Sequence, residues 1–91
     1  MSKRVLVTGA TGGIGRAVVA ALAEAGCEVF ASGRDVEALL GLSRGRAQVR
    51  SLELDVTSER SIASARAEIL SHTGGYGVDA IVHAAGVGEL G

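Results

Sequence analysis

The residues best suited by type and spacing to do chemistry are Thr8-Gly9-Ala10-Thr11-Gly12-Gly13-Ile14-Gly15. Glycine lets a tight turn take positive φ and leaves room for a bulky anion beside the backbone. A helix starting at such a turn offers unpaired N–H groups and the positive end of its dipole, which together attract phosphate. The stretch reads as a dinucleotide-binding turn. A strand must deliver the chain to it and a helix must leave it. Arg16, just beyond Gly15, can approach the phosphates or lie on the surface.

The surrounding sequence supplies those elements. Residues 4–8 are short, β-branched and ended by glycine, as a buried strand is. Ile14, Ala17, Val18, Ala21, Leu22 and Ala25 recur at helical spacing over a helix expected at 16–25, with Gly26 as its stop. A second strand is expected over 28–32. Asp35 can cap a helix over 36–40, which Gly41 should leave short or frayed. Residues 48–54 alternate around Val49, Leu52 and Leu54 and read as a third strand. Thr57 or Ser58 caps a helix over 59–71, with Ile62, Ala65, Ile69 and Leu70 on one side. A fourth strand is expected over 78–83, after a glycine-rich connection.

This is βαβαβαβ, so the fold class is α/β: a Rossmann-like, doubly wound parallel sheet with helices on both faces. The expected strand order is 3-2-1-4, and ligands bind at the carboxyl ends of the strands where the order reverses. The glycine turn, Gly33-Arg34, Asp55 and Ala84-Ala85-Gly86 all fall at such ends.

Composition narrows the class further. Ninety-one residues make one small domain or a piece of a larger one. The chain is 47 % apolar with one Phe, one Tyr and no Trp, so Ala, Val, Leu and Ile must build the core. The net charge is −1 and no basic cluster occurs, which argues against nucleic acid as the partner. The single Cys27 fits a reducing compartment and reads as a small buried apolar residue rather than a reactive thiol. No run resembles a signal peptide or a membrane span, so a soluble cytoplasmic protein is expected.

With these motifs in place, the chain resembles the N-terminal part of a short-chain dehydrogenase/reductase over essentially its whole length. Thr8, Gly9, Gly13 and Gly15 match TGxxxGxG of the single-domain class. Gly9, Gly12 and Gly15 also match TGxxGxxG of the extended, epimerase-like class. Leu54-Asp55-Val56-Thr57 looks like the adenine-contacting segment of the single-domain class. Asp55 would then accept from the adenine amino group, or else serve as a turn residue. Ala84-Ala85-Gly86 aligns with the end of the family's NNAG segment. His83 and Ala84 stand where that segment has its two Asn, so no Asn contacts carry over. His83 is expected to be a strand-end residue satisfied by backbone.

The resemblance implies an NAD(P)-dependent oxidoreductase that moves hydride between a nicotinamide cofactor and a carbonyl or alcohol substrate. The implied cofactor-binding residues are Gly9, Thr11, Gly12, Gly13, Ile14 and Gly15, then Arg34, Asp55 and Val56, then Ala84, Ala85 and Gly86. By alignment, the acidic residue that holds the ribose of NAD is replaced by Gly33. Arg34 follows, and its planar fork suits a 2′-phosphate, so NADP is expected rather than NAD. Ser32 could add a hydroxyl. Without that phosphate, Arg34 is a solvated loop charge.

The family's catalytic Ser and Tyr-x-x-x-Lys are implied to lie beyond the fourth strand. The one Tyr is Tyr76, with Ala80 four residues on, and the one Lys is Lys3. No catalytic or metal-ligating residue is therefore assigned. Residues 1–91 are expected to be the N-terminal portion of one truncated NAD(P)-binding domain, inactive alone, whose whole protein forms homo-oligomers. The alternatives are a non-catalytic nucleotide-binding module and an extended-class epimerase or dehydratase.

Overall fold

The computed structural model describes residues 3–84. In chain order the elements are β1 (Arg4–Thr8), α1 (Gly13–Glu24), β2 (Glu28–Gly33), α2 (Val36–Ser43), β3 (Val49–Glu53), α3 (Glu59–His72) and β4 (Ala80–His83). The four strands form one sheet in the order β3-β2-β1-β4. All three pairings are parallel, with Leu6 opposite Phe30 on one side and Ile81 on the other. The fold class and strand order are those expected.

Alternation along the strands builds two cores, one on each face. Val5 and Val7 of β1, Val29 and Ala31 of β2 and Val49 of β3 pack with Val19, Ala23, Leu39 and Leu42 of α1 and α2. Leu6, Phe30, Leu52 and Leu54 face the other way, against Ala65 and Ile69 of α3. The apolar residues of the third strand therefore do not share a face: Val49 and Leu52 are an odd number of residues apart, which puts them on opposite sides of the pleat.

Several boundaries and faces differ from expectation. Helix α1 begins at Gly13, not residue 16, and buries Gly15, Val19 and Ala23 rather than Ile14, Ala17 and Ala21. Val18 and Leu22 are only half-buried, and Ile14 is 46 % exposed. The close approach of Gly15 to the preceding turn sets the roll of the helix. Ala, equally at home on either face, gave the periodicity no power to find it. Helix α2 continues through Gly41, because Leu39 and Leu42 are both buried and the Ser43 hydroxyl donates to the Leu40 carbonyl at 3.1 Å. Tertiary packing thus outweighs the glycine penalty of up to about 1 kcal/mol. On α3, Ala65 and Ile69 are buried while Ile62 and Leu70 remain exposed. Its cap is Ser58, whose hydroxyl accepts from the Ser61 N–H.

Strand β4 pairs with β1, and among the described residues its other edge is unpaired. Residues 78 and 79 lie before it, and the Asp79 carboxylate accepts from the Arg4 N–H at 2.8 Å. Beside this strand, Leu6, Ile69, Leu70, Tyr76, Val78 and Ile81 line an apolar groove.

Candidate functional site

The turn after β1 is built around two glycines. Gly9 adopts φ 68°, a conformation that L side chains rarely take, and swings the chain out of the sheet. The Ala10 N–H then donates to the Ser32 carbonyl at 3.0 Å, and Ala10 is fully buried, so the turn is anchored to β2. Gly15 is required for a different reason. A Cβ there would collide with the Gly9 carbonyl oxygen and would lie 2.8 Å from Ala10 Cα. Its absence lets the first turn of α1 rest directly on the loop.

That arrangement leaves the helix start available. Gly12 is the N-cap and supplies no side-chain acceptor. Among the described residues, none accepts from the N–H groups of Gly13 or Ile14. Beside Gly13 there is no heavy atom within 4 Å of where a Cβ would stand. Unpaired donors, the positive end of a helix dipole and open space coincide there, as an anion needs.

Next to this start, the carboxyl ends of β1, β2 and β3 enclose an open cleft of about 300 Å³. Gly9, Thr11, Arg34, Asp55 and Val56 line it together with Leu54 and Asp35. The volume is at the small end of ligand clefts, about 300–1,000 Å³. It would hold one end of an elongated ligand whose middle lies along the glycine turn. Gly33 is half-buried, and a Cβ on it would make only ordinary contacts with Leu39 and Thr11. Arg34 is exposed on the rim, and among the described residues no side chain bonds to it.

Asp55 is the fixed negative group of the cleft. Its Oδ1 accepts from the Thr57 hydroxyl at 2.6 Å and from the Thr57 N–H at 2.9 Å. Its own N–H donates to the Ser61 hydroxyl at 2.8 Å. The two Thr57 hydrogen bonds hold its carboxyl below the ordinary carboxylate value, and the charge of Arg34 adds to this. Both roles read for Asp55 are thus compatible: the Asp-x-Thr spacing makes an Asx turn, and the carboxylate still borders the cleft.

Two expectations need correction. Ser32 borders the cleft but is fully buried, and its hydroxyl proton is committed to the Val7 carbonyl of β1 at 2.8 Å, so it has no proton to offer a phosphate. The partner of His83 is a side chain: its Nδ1 lies 3.1 Å from the Thr8 hydroxyl. Of the two caps read for α3, Ser58 serves, as expected, and Thr57 instead holds Asp55. Ala84 is buried, with its N–H donating to the Thr8 carbonyl at 3.0 Å, and stands outside the cleft lining. Ala85 and Gly86 lie outside the described residues. Leu54, in the segment that the resemblance sets against adenine, is both core and a wall of the cleft, while Asp35, read from sequence only as a helix cap, caps α2 and lines the cleft as well.

A parallel α/β sheet with a glycine turn and an open cleft at its strand ends defines a nucleotide-binding domain of the Rossmann type. A family model described as short chain dehydrogenase matches residues 3–91. A short-chain dehydrogenase of Penicillium ochrochloron is 40 % identical over 89 residues, covering 97 % of this chain and 32 % of its own. Among solved structures, one described as a ribose-5-phosphate isomerase from Brucella melitensis is 36 % identical with a TM-score of 0.82, covering 93 % of this chain and 32 % of its own. An actinorhodin polyketide ketoreductase with NADPH is 32 % identical with a TM-score of 0.82, covering 93 % and 33 %. The chain belongs to the short-chain dehydrogenase/reductase family, whose members bind nicotinamide cofactors. It spans about a third of the length of these relatives. The isomerase name beside a ketoreductase name at equal structural similarity is a reminder that a shared fold does not fix the reaction.

Proposed function

We propose that residues 1–91 form the NADP(H)-binding part of an oxidoreductase that moves hydride between the nicotinamide and a carbonyl or alcohol. The observation that carries the cofactor choice is the end of β2. There Gly33 brings no acid to the cleft, and Arg34 stands on its rim without a side-chain partner among the described residues. An acidic residue at that point would bind ribose hydroxyls and repel a 2′-phosphate; a guanidinium attracts it. Gly9, Gly12, Gly13 and Ile14 would hold the pyrophosphate, with Gly15 keeping the helix start in place. Thr11, Asp55 and Val56 would border the adenosine. The cofactor would supply the hydride; the residues described here bind and orient it.

The substrate-facing groups are assigned to the part of the family's length outside these residues, where the resemblance puts its Tyr-x-x-x-Lys pair. Tyr76 is not a candidate, being 84 % exposed in the loop before β4. The fold similarity to a ketoreductase with NADPH is consistent with this reading.

Titration of the purified chain with NADPH and NADH tests it. NADPH is expected to bind more tightly, by about tenfold for one solvent-exposed charge-assisted contact. Arg34→Ala should remove that advantage while leaving NADH binding unchanged. Equal affinities in the wild type, or undiminished NADPH binding in Arg34→Ala, would refute the phosphate assignment.

A further inference from the structure

We propose that Arg16 is a positioning residue of the glycine turn, its side chain holding the turn closed in the shape that leaves the Gly13 and Ile14 N–H groups free for the pyrophosphate. This rests on the nucleotide-binding reading above. The Arg16 side chain folds back along the helix, and its Nε donates to the Thr11 carbonyl oxygen at 2.9 Å. The Arg16 backbone N–H donates to the next carbonyl, that of Gly12, also at 2.9 Å. The backbone bond is the ordinary first bond of α1; the side chain adds the Thr11–Gly12 peptide, whose N–H closes the turn on the Gly9 carbonyl at 3.2 Å.

In a trans peptide the C=O and the following N–H point in opposite directions. The Gly12 carbonyl, held by the first bond of α1, turns the Gly13 N–H the other way, out of the helix start, where no described group accepts from it. Fixing the Thr11 carbonyl keeps its partial negative charge off that same side. Gly9, Gly12, Gly13 and Gly15 leave this segment with unusual backbone freedom, so an anion would otherwise have to order it on binding. Nε carries out the clamping, and the terminal nitrogens of Arg16 take no part in the contact.

The two possible roles of Arg16, clamp or general cation, separate by chemistry. Gln places its Nε2 where Arg has Nε but carries no charge. Lys keeps the charge without a donor at that point. Met keeps the length and has neither. NADPH affinity of the full chain is measured for wild type, Arg16→Gln, Arg16→Lys and Arg16→Met at low and high salt. Amide hydrogen exchange at Gly12 and Arg16, whose N–H groups donate to the Gly9 and Gly12 carbonyls, is followed in the same proteins without nucleotide. The clamp predicts that Met weakens NADPH binding about three- to tenfold, the range of one ordinary hydrogen bond. It also predicts that Gln restores most of the loss at both salt concentrations, and that exchange speeds up in Met but not in Gln. If Lys restores binding and Gln does not, the role is electrostatic and the proposal is overturned. Equal affinities, or unchanged exchange in Met, overturn it as well. Absence of nucleotide binding in the wild type would instead refute the reading it rests on, and the exchange measurements would still decide the clamp.

Discussion

Gly15 and Gly13 lie two residues apart in one motif, yet substituting Ala at each should do opposite things. At Gly15 an added Cβ meets the Gly9 carbonyl oxygen and lies 2.8 Å from Ala10 Cα and 2.9 Å from the Gly9 carbonyl carbon. All three obstacles are backbone, so no side chain can rotate out of the way. Carbon atoms pack comfortably at about 3.5–4.0 Å, so the start of α1 must retreat by roughly 1 Å. Its neighbours Val19 and Ala10 are fully buried, and that retreat would also loosen the core beneath. Overpacking of this kind costs about 1–3 kcal/mol, opposed by a helix-propensity gain of at most about 1 kcal/mol. With backbone as the obstacle, a net loss of about 2 kcal/mol is expected, or roughly 10 °C in Tm for a chain of this size. Gly13→Ala has no such obstacle and should stay within about 0.5 kcal/mol of wild type. It should nonetheless weaken NADPH binding, because the methyl group occupies the space beside the free N–H groups. Urea and thermal unfolding without nucleotide, paired with NADPH titration, read the two effects separately. A Gly15→Ala protein that melts with the wild type, or a Gly13→Ala protein that loses as much stability, would refute the packing argument.

Ser32→Ala should lower stability by about 1 kcal/mol, the usual worth of a hydrogen bond, with little change in NADPH affinity; a selective loss of affinity would return its hydroxyl to the ligand. Gly41→Ala, exposed and with no atom within 4 Å, should raise stability in urea unfolding by up to about 1 kcal/mol; a loss would mean that α2 needs glycine there. The depressed carboxyl of Asp55 makes a stabilising contribution that is complete above its unfolded value of 3.8 and is lost as pH falls through its lower folded value. The stability gap between wild type and Asp55→Asn should therefore close in acid, whereas a gap that widens below pH 4 would reverse the sign. NMR titration of Thr57→Val should find the Asp55 value raised, since both bonds that lower it come from Thr57 and the larger is the hydroxyl; an unmoved value would deny Thr57 that role.

The sheet was legible because β1 and β2 are short apolar runs closed by Gly9 and Gly33, β3 alternates and β4 is apolar, and because strand–helix alternation permits few topologies. The cofactor turn was legible because glycine spacing is itself a backbone statement. What stayed hidden depends on which neighbour a side chain finds. The face of α1 is set by the contact of Gly15 with Gly9, which no alanine periodicity encodes. Ser32 has the same hydroxyl whether it faces a phosphate or the Val7 carbonyl, and only the strand register decides between them. Thr57 and Ser58 are equivalent caps on paper; the Asx turn at Asp55 takes the first and leaves the second for α3.

The sheet joins segments at two very different separations along the chain. Arg4 meets Glu28 and Val29 meets Val49, each across a single short crossover. The bonds that secure β4 to β1, from Arg4 to Asp79 and from Thr8 to His83, span 75 residues. Loop-closure entropy grows with that separation, so β3-β2-β1 can assemble while β4 is still unattached. During synthesis the order is the same, because β4 leaves the ribosome after the other three strands. Strand β1, interior in this sheet, is thus an edge for part of its history. Pulsed hydrogen exchange during refolding should find the amides that pair β1 with β2 protected before those that pair it with β4.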